Sequence, residues 1–257
     1  MKTIILCGGK GMRLHEETEF KPKPMVKIGD LPILIHIMNI YSHYGYNDFV
    51  LALGYRGDLI REYFLHLKRF ANDLTYDASS GQIDYHSSAG DLPFRITFAE
   101  TGEDTLSGER VLKASKYVEE NDFMVTYGDG LSDVKIPDII NHYYKKRETF
   151  DISATITAAH PSSKYGQIIG DENDIIHTFD EKPVLNDYIN AGFMVFHKDA
   201  LSFLREGEML ETGLHRMVGS KKLSQFVHEG FWHSMDTMKD VKDLNELWKD
   251  NPKWKLE

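Results

Sequence analysis

Cysteine is almost missing from this chain: Cys7 is the only one. No disulfide can form within the chain, and a reducing compartment is the expectation. Cys7 sits inside a short apolar run and reads as a small core residue, so thiol catalysis has no candidate. Long apolar runs are missing as well. The run 3–7 is too short for the hydrophobic region of a secretion signal, and nothing later approaches the roughly 20 apolar residues that span a membrane. The expectation is a cytoplasmic protein with no membrane partner. A basic surplus is also absent, since 30 Lys and Arg stand against 40 Asp and Glu for a net charge of -10, and the basic residues are dispersed. That argues against nucleic acid as a partner, which would need a basic stripe. The twelve histidines contain no His-x-x-x-His pair, so a zinc centre is not expected, and no Gly-x-Ser-x-Gly elbow offers a serine nucleophile.

What is present begins at the N-terminus. The apolar run Thr3-Ile4-Ile5-Leu6-Cys7 reads as a buried strand and breaks into Gly8-Gly9-Lys10-Gly11-Met12-Arg13-Leu14. Glycines directly after a strand let the backbone turn sharply and present several N–H donors to one anion. Arg13 and Lys23, the latter within Lys21-Pro22-Lys23-Pro24-Met25, add positive charge beside them. The spacing excludes the two commonest glycine-rich loops. A Walker loop needs Gly-Lys-Ser/Thr, and Met12 denies the hydroxyl; a dinucleotide fingerprint needs a third glycine where Leu14 stands. The glycines alone fit a plain turn equally well; the flanking cations favour an anion site.

Strand-like and helix-like runs alternate through the first half, the pattern of parallel strands joined by crossover helices. Strands are expected at 3–7, 48–53, 94–99 and 123–127. Helices are expected at 33–44, ended by Gly45, at 110–118, and from Asp58, which would cap a helix with Leu59, Tyr63 and Leu67 on one face. The polar stretch 77–92 reads as a loop or hairpin excursion. Beyond Phe150, strands at 152–157, 166–169, 175–179, 188–196 and 225–228 follow at short spacing, with helical segments from Leu201 and over 241–248. The expected fold is α/β: a Rossmann-like mixed, mainly parallel sheet flanked by helices. It forms one domain over 1–257, with a nucleotide-binding half at 1–150 and a smaller strand-rich half at 151–257.

Further candidates end strands. Asp129, between Gly128 and Gly130, projects from the carboxyl edge of the sheet, where open α/β folds bind ligands and where a hard cation wants one or two carboxylates. Taken alone, Gly-Asp-Gly is equally a turn that satisfies its own backbone. Asp236 follows the aromatic run from Phe231 and is either a second carboxylate for the site or the N-cap of the last helix. If Asp129 and Asp236 meet in space, the cap reading fails. Lys182, in Glu181-Lys182-Pro183, is expected in an extended conformation that aims it at a phosphate, against the plain reading of a surface Glu-Lys pair.

In order and spacing, the 8–14 loop, the 21–25 run, Tyr127-Gly128-Asp129-Gly130, Glu181-Lys182-Pro183 and Met235-Asp236-Thr237 resemble the sugar-1-phosphate nucleotidylyltransferases over nearly the whole chain. Thr101-Gly102-Glu103-Asp104-Thr105-Leu106-Ser107-Gly108-Glu109-Arg110, together with Phe231-Trp232 and the Trp248 and Trp254 tail, is similar to the cytidylyl-transferring branch of that family. The resemblance implies CTP and a sugar 1-phosphate as substrates, with glucose 1-phosphate leading. It implies nucleotide contacts from Leu6, Gly8, Gly9, Lys10, Gly11, Met12, Arg13, Lys23, Thr105, Arg110 and Gly128. It gives catalytic roles to Arg13, Lys23 and Asp129. Gly166, Glu181, Lys182 and Asn190 would meet the sugar phosphate, Asp129 and Asp236 would hold Mg2+, and the chain would form a homo-oligomer, with 77–92 as a contact element. In-line displacement at the α-phosphorus needs positioning and charge neutralisation, which matches motifs built of Gly, Arg, Lys and Asp with no nucleophile.

Departures surround the sugar. His160-Pro161-Ser162-Ser163-Lys164-Tyr165-Gly166 stands where the family carries a Pro-Pro-Gly-Arg-Phe-Gly-like loop, and Asn190-Ala191-Gly192 replaces a more glycine-rich version. Another sugar or polyol phosphate, dTTP or UTP as donor, and a nucleotide-sensing module without turnover remain alternatives. Dinucleotide oxidoreduction is excluded by the missing fingerprint and ribose-binding acid.

Overall fold

The computed structural model describes residues 1–87, 90–163 and 165–256, so Ser88 and Ala89 of the polar excursion and Lys164 of the 160–166 loop lie outside the described residues. Its frame is one eight-stranded mixed sheet. In chain order the elements that matter are β1 (Thr3–Leu6), α1 (Ile33–His43), β2 (Asp48–Leu53), α2 (Gly57–Ala71), β3 (Arg95–Glu100), α3 (Ser107–Ser115) and β4 (Asp122–Tyr127). They continue with α4 (Ile136–Phe150), β5 (Ala154–Ala159), β6 (Ile189–Asn190), β7 (Met194–His197), α5 (Leu210–Gly219), β8 (Leu223–His228) and α6 (Met238–Asp250). The sheet runs β6-β5-β7-β4-β1-β2-β3, with β8 also paired to β5. The block β4-β1-β2-β3 is parallel, whereas β7 runs antiparallel to both β4 and β5. The strands of the second half therefore extend the first half's sheet.

Alternation along the strands divides the core between the two faces, because successive side chains point to opposite sides. Ile5, Phe49 and Leu51 face α1, α4 and α6, where Tyr41, Tyr143 and Leu244 are fully buried. Ile4, Val50, Phe123 and Val125 face α3 and α5 through Val111, Ala114, Leu210 and Met217. Burial on both faces explains why these strands read as continuous apolar runs.

Several local expectations need correction. Asp58 is not the cap of α2; Arg56 holds that position in the left-handed region (φ 48°), and Asp58 lies in the first turn, where a carboxylate meets the positive helix end. The inward face of α2 is Ile60 with Phe64, one residue on from the expected stripe. The strand expected over 188–196 is two strands, because Gly192 (φ 78°) and Phe193 (φ 45°) turn the chain between β6 and β7. Helix α4 has no counterpart among the expectations, although Ile136, Ile139, Ile140 and Tyr143 form its buried stripe. The excursion contains a hairpin pairing Leu74–Tyr76 with Ile83–Tyr85.

The C-terminal segment is clasped to α1. Trp254 Nε1 donates to His36 Nδ1 at 3.3 Å while His36 Nε2 donates to Ile28 O at 2.8 Å, which fixes the neutral tautomer, and burial lowers this imidazole below its ordinary range. Among the described residues no helix is long and apolar enough to cross a membrane.

Candidate active site

The cavity opens at the carboxyl ends of β1 and β4 and measures about 730 Å3. Leu6, Gly8, Gly9, Lys10, Gly11, Met12, Arg13, Lys23, Thr105, Arg110, Gly128, Asp129 and Asp236 all line it. Residues expected from distant parts of the sequence thus converge on one space. Cys7 lies beneath it, fully buried, and burial pushes its thiol far above the usual range, which leaves it a core residue.

Arg110 shapes the floor. Its guanidinium donates from Nη1 to Leu53 O (3.1 Å), Thr101 Oγ1 (2.5 Å) and Gly102 O (2.7 Å), and from Nη2 to Gly8 O and Glu103 O (both 3.0 Å). One cation therefore ties the ends of β2 and β3 to the glycine loop. A Cβ at Gly8 would lie 2.2 Å from Arg110 Nη1 and one at Gly54 would lie 2.3 Å from it, so both positions must lack a side chain. With five contacts made, Arg110 orders the loops around the cavity that it also lines. Across the mouth, Lys10 Nζ meets Asp104 Oδ1 at 2.7 Å and joins the glycine loop to the 101–110 segment.

Asp129 and Asp236 do meet. Lys23 Nζ lies 2.7 Å from Asp129 Oδ2 and 2.8 Å from Asp236 Oδ1, and Arg13 Nη2 reaches the same Asp236 oxygen at 2.9 Å. Burial opposes the charge on Lys23, yet the two carboxylates outweigh it and raise its pKa. Asp236, also penalised by burial, is held below the ordinary carboxylate range by Lys23 and Arg13. The cap alternative for Asp236 fails, because Thr237 caps α6 in a capping box with Asp240. That leaves the Asp236 carboxylate free to face the cavity. It is delivered there by the pairing of Trp232–Ser234 with Gly130–Ser132 and by the Met235 N–H donating to Asp129 O at 2.8 Å.

The expected sugar-phosphate group stands apart. Gly166, Glu181, Lys182 and Asn190 do not line the cavity. Gly166 and Glu181 are neighbours at the base of a hairpin that pairs Gln167–Gly170 with Ile176–Asp180. Lys182 is not extended but left-handed (φ 53°), because the chain reverses there and is pinned by Ser163 N–H to Pro183 O and Leu185 N–H to Pro161 O. Lys239, in the first turn of α6 three residues past Asp236, is lowered below the usual lysine range by its like-charged neighbour Lys182. Asn190 reaches the cavity indirectly, donating to the Tyr127 hydroxyl at 3.3 Å.

Sequence reasoning missed Tyr127, Ser107, Met209 and Glu211, which also line the cavity. Tyr127 could have been found, since it ends the strand that presents Asp129. Met209 and Glu211 carry no local signal; they arrive because α5 packs on α3, where Leu210 N–H donates to Ser107 Oγ at 2.8 Å.

Comparison with known proteins agrees with this geometry. The family model described as nucleotidyl transferase matches residues 2–255. A protein of Bacillus subtilis (strain 168) named "Probable glucose-1-phosphate cytidylyltransferase" is 37% identical over 260 residues, covering 100% of both chains. The glucose-1-phosphate cytidylyltransferase of Salmonella typhimurium is 35% identical over 264 residues, covering 99% of each. Among solved structures, a UDP-glucose pyrophosphorylase complexed with UDP-glucose has a TM-score of 0.67 at 15% identity, covering 96% of this chain and 98% of that one. HddC from Yersinia pseudotuberculosis, complexed with GMP-PN, has a TM-score of 0.63 at 20% identity, covering 96% and 99%. At these identities the structures speak for the fold.

Proposed function

This chain belongs to the nucleotidyl transferase family, and on that premise we propose that it transfers the cytidylyl group of CTP to α-D-glucose 1-phosphate, releasing pyrophosphate and forming CDP-glucose. The observation that carries this reading is the convergence of the 8–13 loop, Lys23, Asp129 and Asp236 on one cavity, beside the full-length similarity to two proteins named for that reaction. A phosphate oxygen of the sugar 1-phosphate bonds to the α-phosphorus of CTP, and the bond from that phosphorus to the oxygen bridging to the β-phosphorus breaks. The electron pair leaves with pyrophosphate. Backbone N–H groups of 8–11 receive the triphosphate, and Arg13 and Lys23 neutralise the charge that grows on the leaving group. Lys182, which does not line the cavity, would hold the acceptor phosphate, with Lys239 of α6 as its neighbour.

The donor set suits Mg2+. Asp129 and Asp236 are hard oxygen ligands brought to one ammonium, and among the described residues no group of three or more His, Cys, Asp or Glu could hold a metal. Two carboxylates with the remaining positions left to phosphate and water is how this ion is commonly bound. When bound, Mg2+ would supply charge neutralisation to the phosphates.

The test is a pyrophosphate-release panel with Mg2+, crossing CTP, UTP and dTTP with several sugar 1-phosphates. Release with CTP and glucose 1-phosphate as the best pair is expected. Release with UTP or dTTP in place of CTP overturns the cytidylyl assignment, and release with no pair leaves a nucleotide-binding module.

The proposal includes a cytoplasmic setting, which a single buried thiol suits, and a homo-oligomer. Beside the 77–92 excursion, the 167–180 hairpin is a second candidate contact element. The hairpin stands outside the main sheet, and an isolated two-stranded hairpin is marginal in water. Tyr165, Ile168, Ile169, Ile175, Ile176, Phe179 and Val184 are each more than half exposed on or beside it. Exposed apolar side chains gathered on one hairpin mark an interaction surface, and a second copy of this chain is the proposed occupant. Sedimentation of the unsubstituted protein should give a dimer or larger. Ile168→Glu combined with Phe179→Glu should give a folded species of lower mass, and a monomeric unsubstituted protein at high micromolar concentration refutes this interface.

A further inference from the structure

Two carboxylates of the cavity, Glu103 and Glu211, are not paired with a cation among the described residues, and Glu211 is the one fixed by a hydrogen-bonded side chain. Asp129 and Asp236 are paired with Lys23, and Asp104 with Lys10. Glu211 lines the same cavity yet has no cation within 4 Å among the described residues. It is nevertheless held in place. The Tyr127 hydroxyl donates to Glu211 Oε1 at 2.7 Å, that hydroxyl accepts from Asn190 Nδ2 at 3.3 Å, and Asn190 Oδ1 accepts from the Gly192 N–H at 3.0 Å. Burial, reinforced by the Glu211 carboxylate, pushes the Tyr127 phenol far above its ordinary range, so Tyr127 remains a donor at any working pH. The second oxygen, Oε2, has only a long contact of 3.5 Å with Ser107 Oγ.

A carboxylate with a free oxygen and no cation beside it repels phosphate. It suits an uncharged hydrogen-bond donor. Two parts of the proposed substrates qualify, the sugar hydroxyls and the cytosine amine. The relay decides between them. Tyr127 ends β4 and Asn190 lies in β6, both on the side of β1 away from β2 and β3, so the well-made hydrogen bonds that anchor Glu211 come from that side, while its only contact with the 101–110 segment is the long one to Ser107. We infer that Glu211 is a specificity residue that accepts a hydrogen bond from a hydroxyl of the acceptor sugar, with Tyr127 and Asn190 as its positioning residues. The inference rests on the proposed function and adds to it: the acceptor is a polyhydroxylated sugar phosphate recognised through a ring hydroxyl. A site arranged to bind a hydroxyl penalises the analogue lacking it, because the site's polar group is left unpaired.

The experiment compares kcat/KM for glucose 1-phosphate and its monodeoxy analogues, with CTP, in the unsubstituted enzyme, Glu211→Gln, Glu211→Ala and Tyr127→Phe. One deoxy analogue should be penalised about tenfold or more by the unsubstituted enzyme. That penalty should shrink to about threefold or less in Glu211→Ala and be partly lost in Tyr127→Phe, the signature of one shared interaction. The KM for CTP and the CTP-to-UTP preference should stay within about threefold across the series. Unaltered deoxy penalties in a turning-over variant overturn this inference alone, as does a shift in CTP-to-UTP preference, which would place Glu211 at the base. If Glu211→Ala fails to fold, Glu211→Gln decides by the same comparison. No turnover by the unsubstituted enzyme with any acceptor overturns the proposed function, and this inference with it.

Discussion

Asp129→Asn should lower the rate of pyrophosphate release by at least about 100- to 1,000-fold, the loss of one preorganised electrostatic stabiliser worth roughly 2.7 to 4 kcal/mol in the barrier. The substitution keeps the shape of the side chain and removes its charge. Lys23 Nζ then loses the partner at 2.7 Å and keeps only Asp236, and one of the two carboxylates proposed to hold Mg2+ is gone. Because the change is isosteric and Asp129 is partly open to the cavity, the fold should survive. Steady-state pyrophosphate release, with thermal melts and calorimetric CTP binding in parallel, is the measurement. Near-normal turnover would show that Asp129 is a turn residue after all.

Arg110→Met should reduce stability by about 3–5 kcal/mol and weaken nucleotide binding together. The guanidinium is 4% exposed and satisfies four backbone carbonyls and the Thr101 hydroxyl. Removing it leaves Gly102 O and Glu103 O unpaired, while Leu53 O keeps the Thr101 N–H and Gly8 O keeps the Tyr55 N–H; each orphaned acceptor costs about 1–3 kcal/mol, the lost charge-assisted bonds come on top, and the losses do not simply add. At about 2–4 °C per kcal/mol for a chain of this size, the melting temperature should fall by roughly 10 °C. Arg110→Lys keeps the charge without the planar fork and should recover only part of the loss. Thermal melts and CTP titrations check this; a melting temperature within about 2 °C of the unsubstituted protein would refute the keystone role.

How much of this was legible in the sequence follows from what kind of force fixes each feature. The parallel strands were readable because burial on both faces demands unbroken Ile, Val and Leu, as in β1 and β2. The first-turn aspartate of α2 misled because its charge suits the helix end whether or not it is the cap. Asp129, Lys23 and Asp236 were readable only as an ensemble, since each taken alone has a plain local explanation. Glu211 was invisible, because nothing within its own turn of helix points to a cavity; only the packing of α5 on α3 carries it there. The left-handed backbone of Lys182 was not legible, because it is set by hydrogen bonds from residues 163 and 185 rather than by the proline that follows it.

The meeting of Lys23 with Asp236 has a consequence for how the protein is made. The two residues are separated by 213 positions, and synthesis at about 5–20 residues per second puts roughly 10–45 s between their additions to the growing chain. For that interval the strands β1 to β4 can pair on the ribosome, but Lys23 has only one of its carboxylates. The face that α6 and Trp254 will cover, including His36, stays open to solvent. The nascent chain is thus catalytically incomplete and apolar on one side until α6 and Trp254 have emerged, which makes the interval before then its time of greatest exposure to chaperones and proteases.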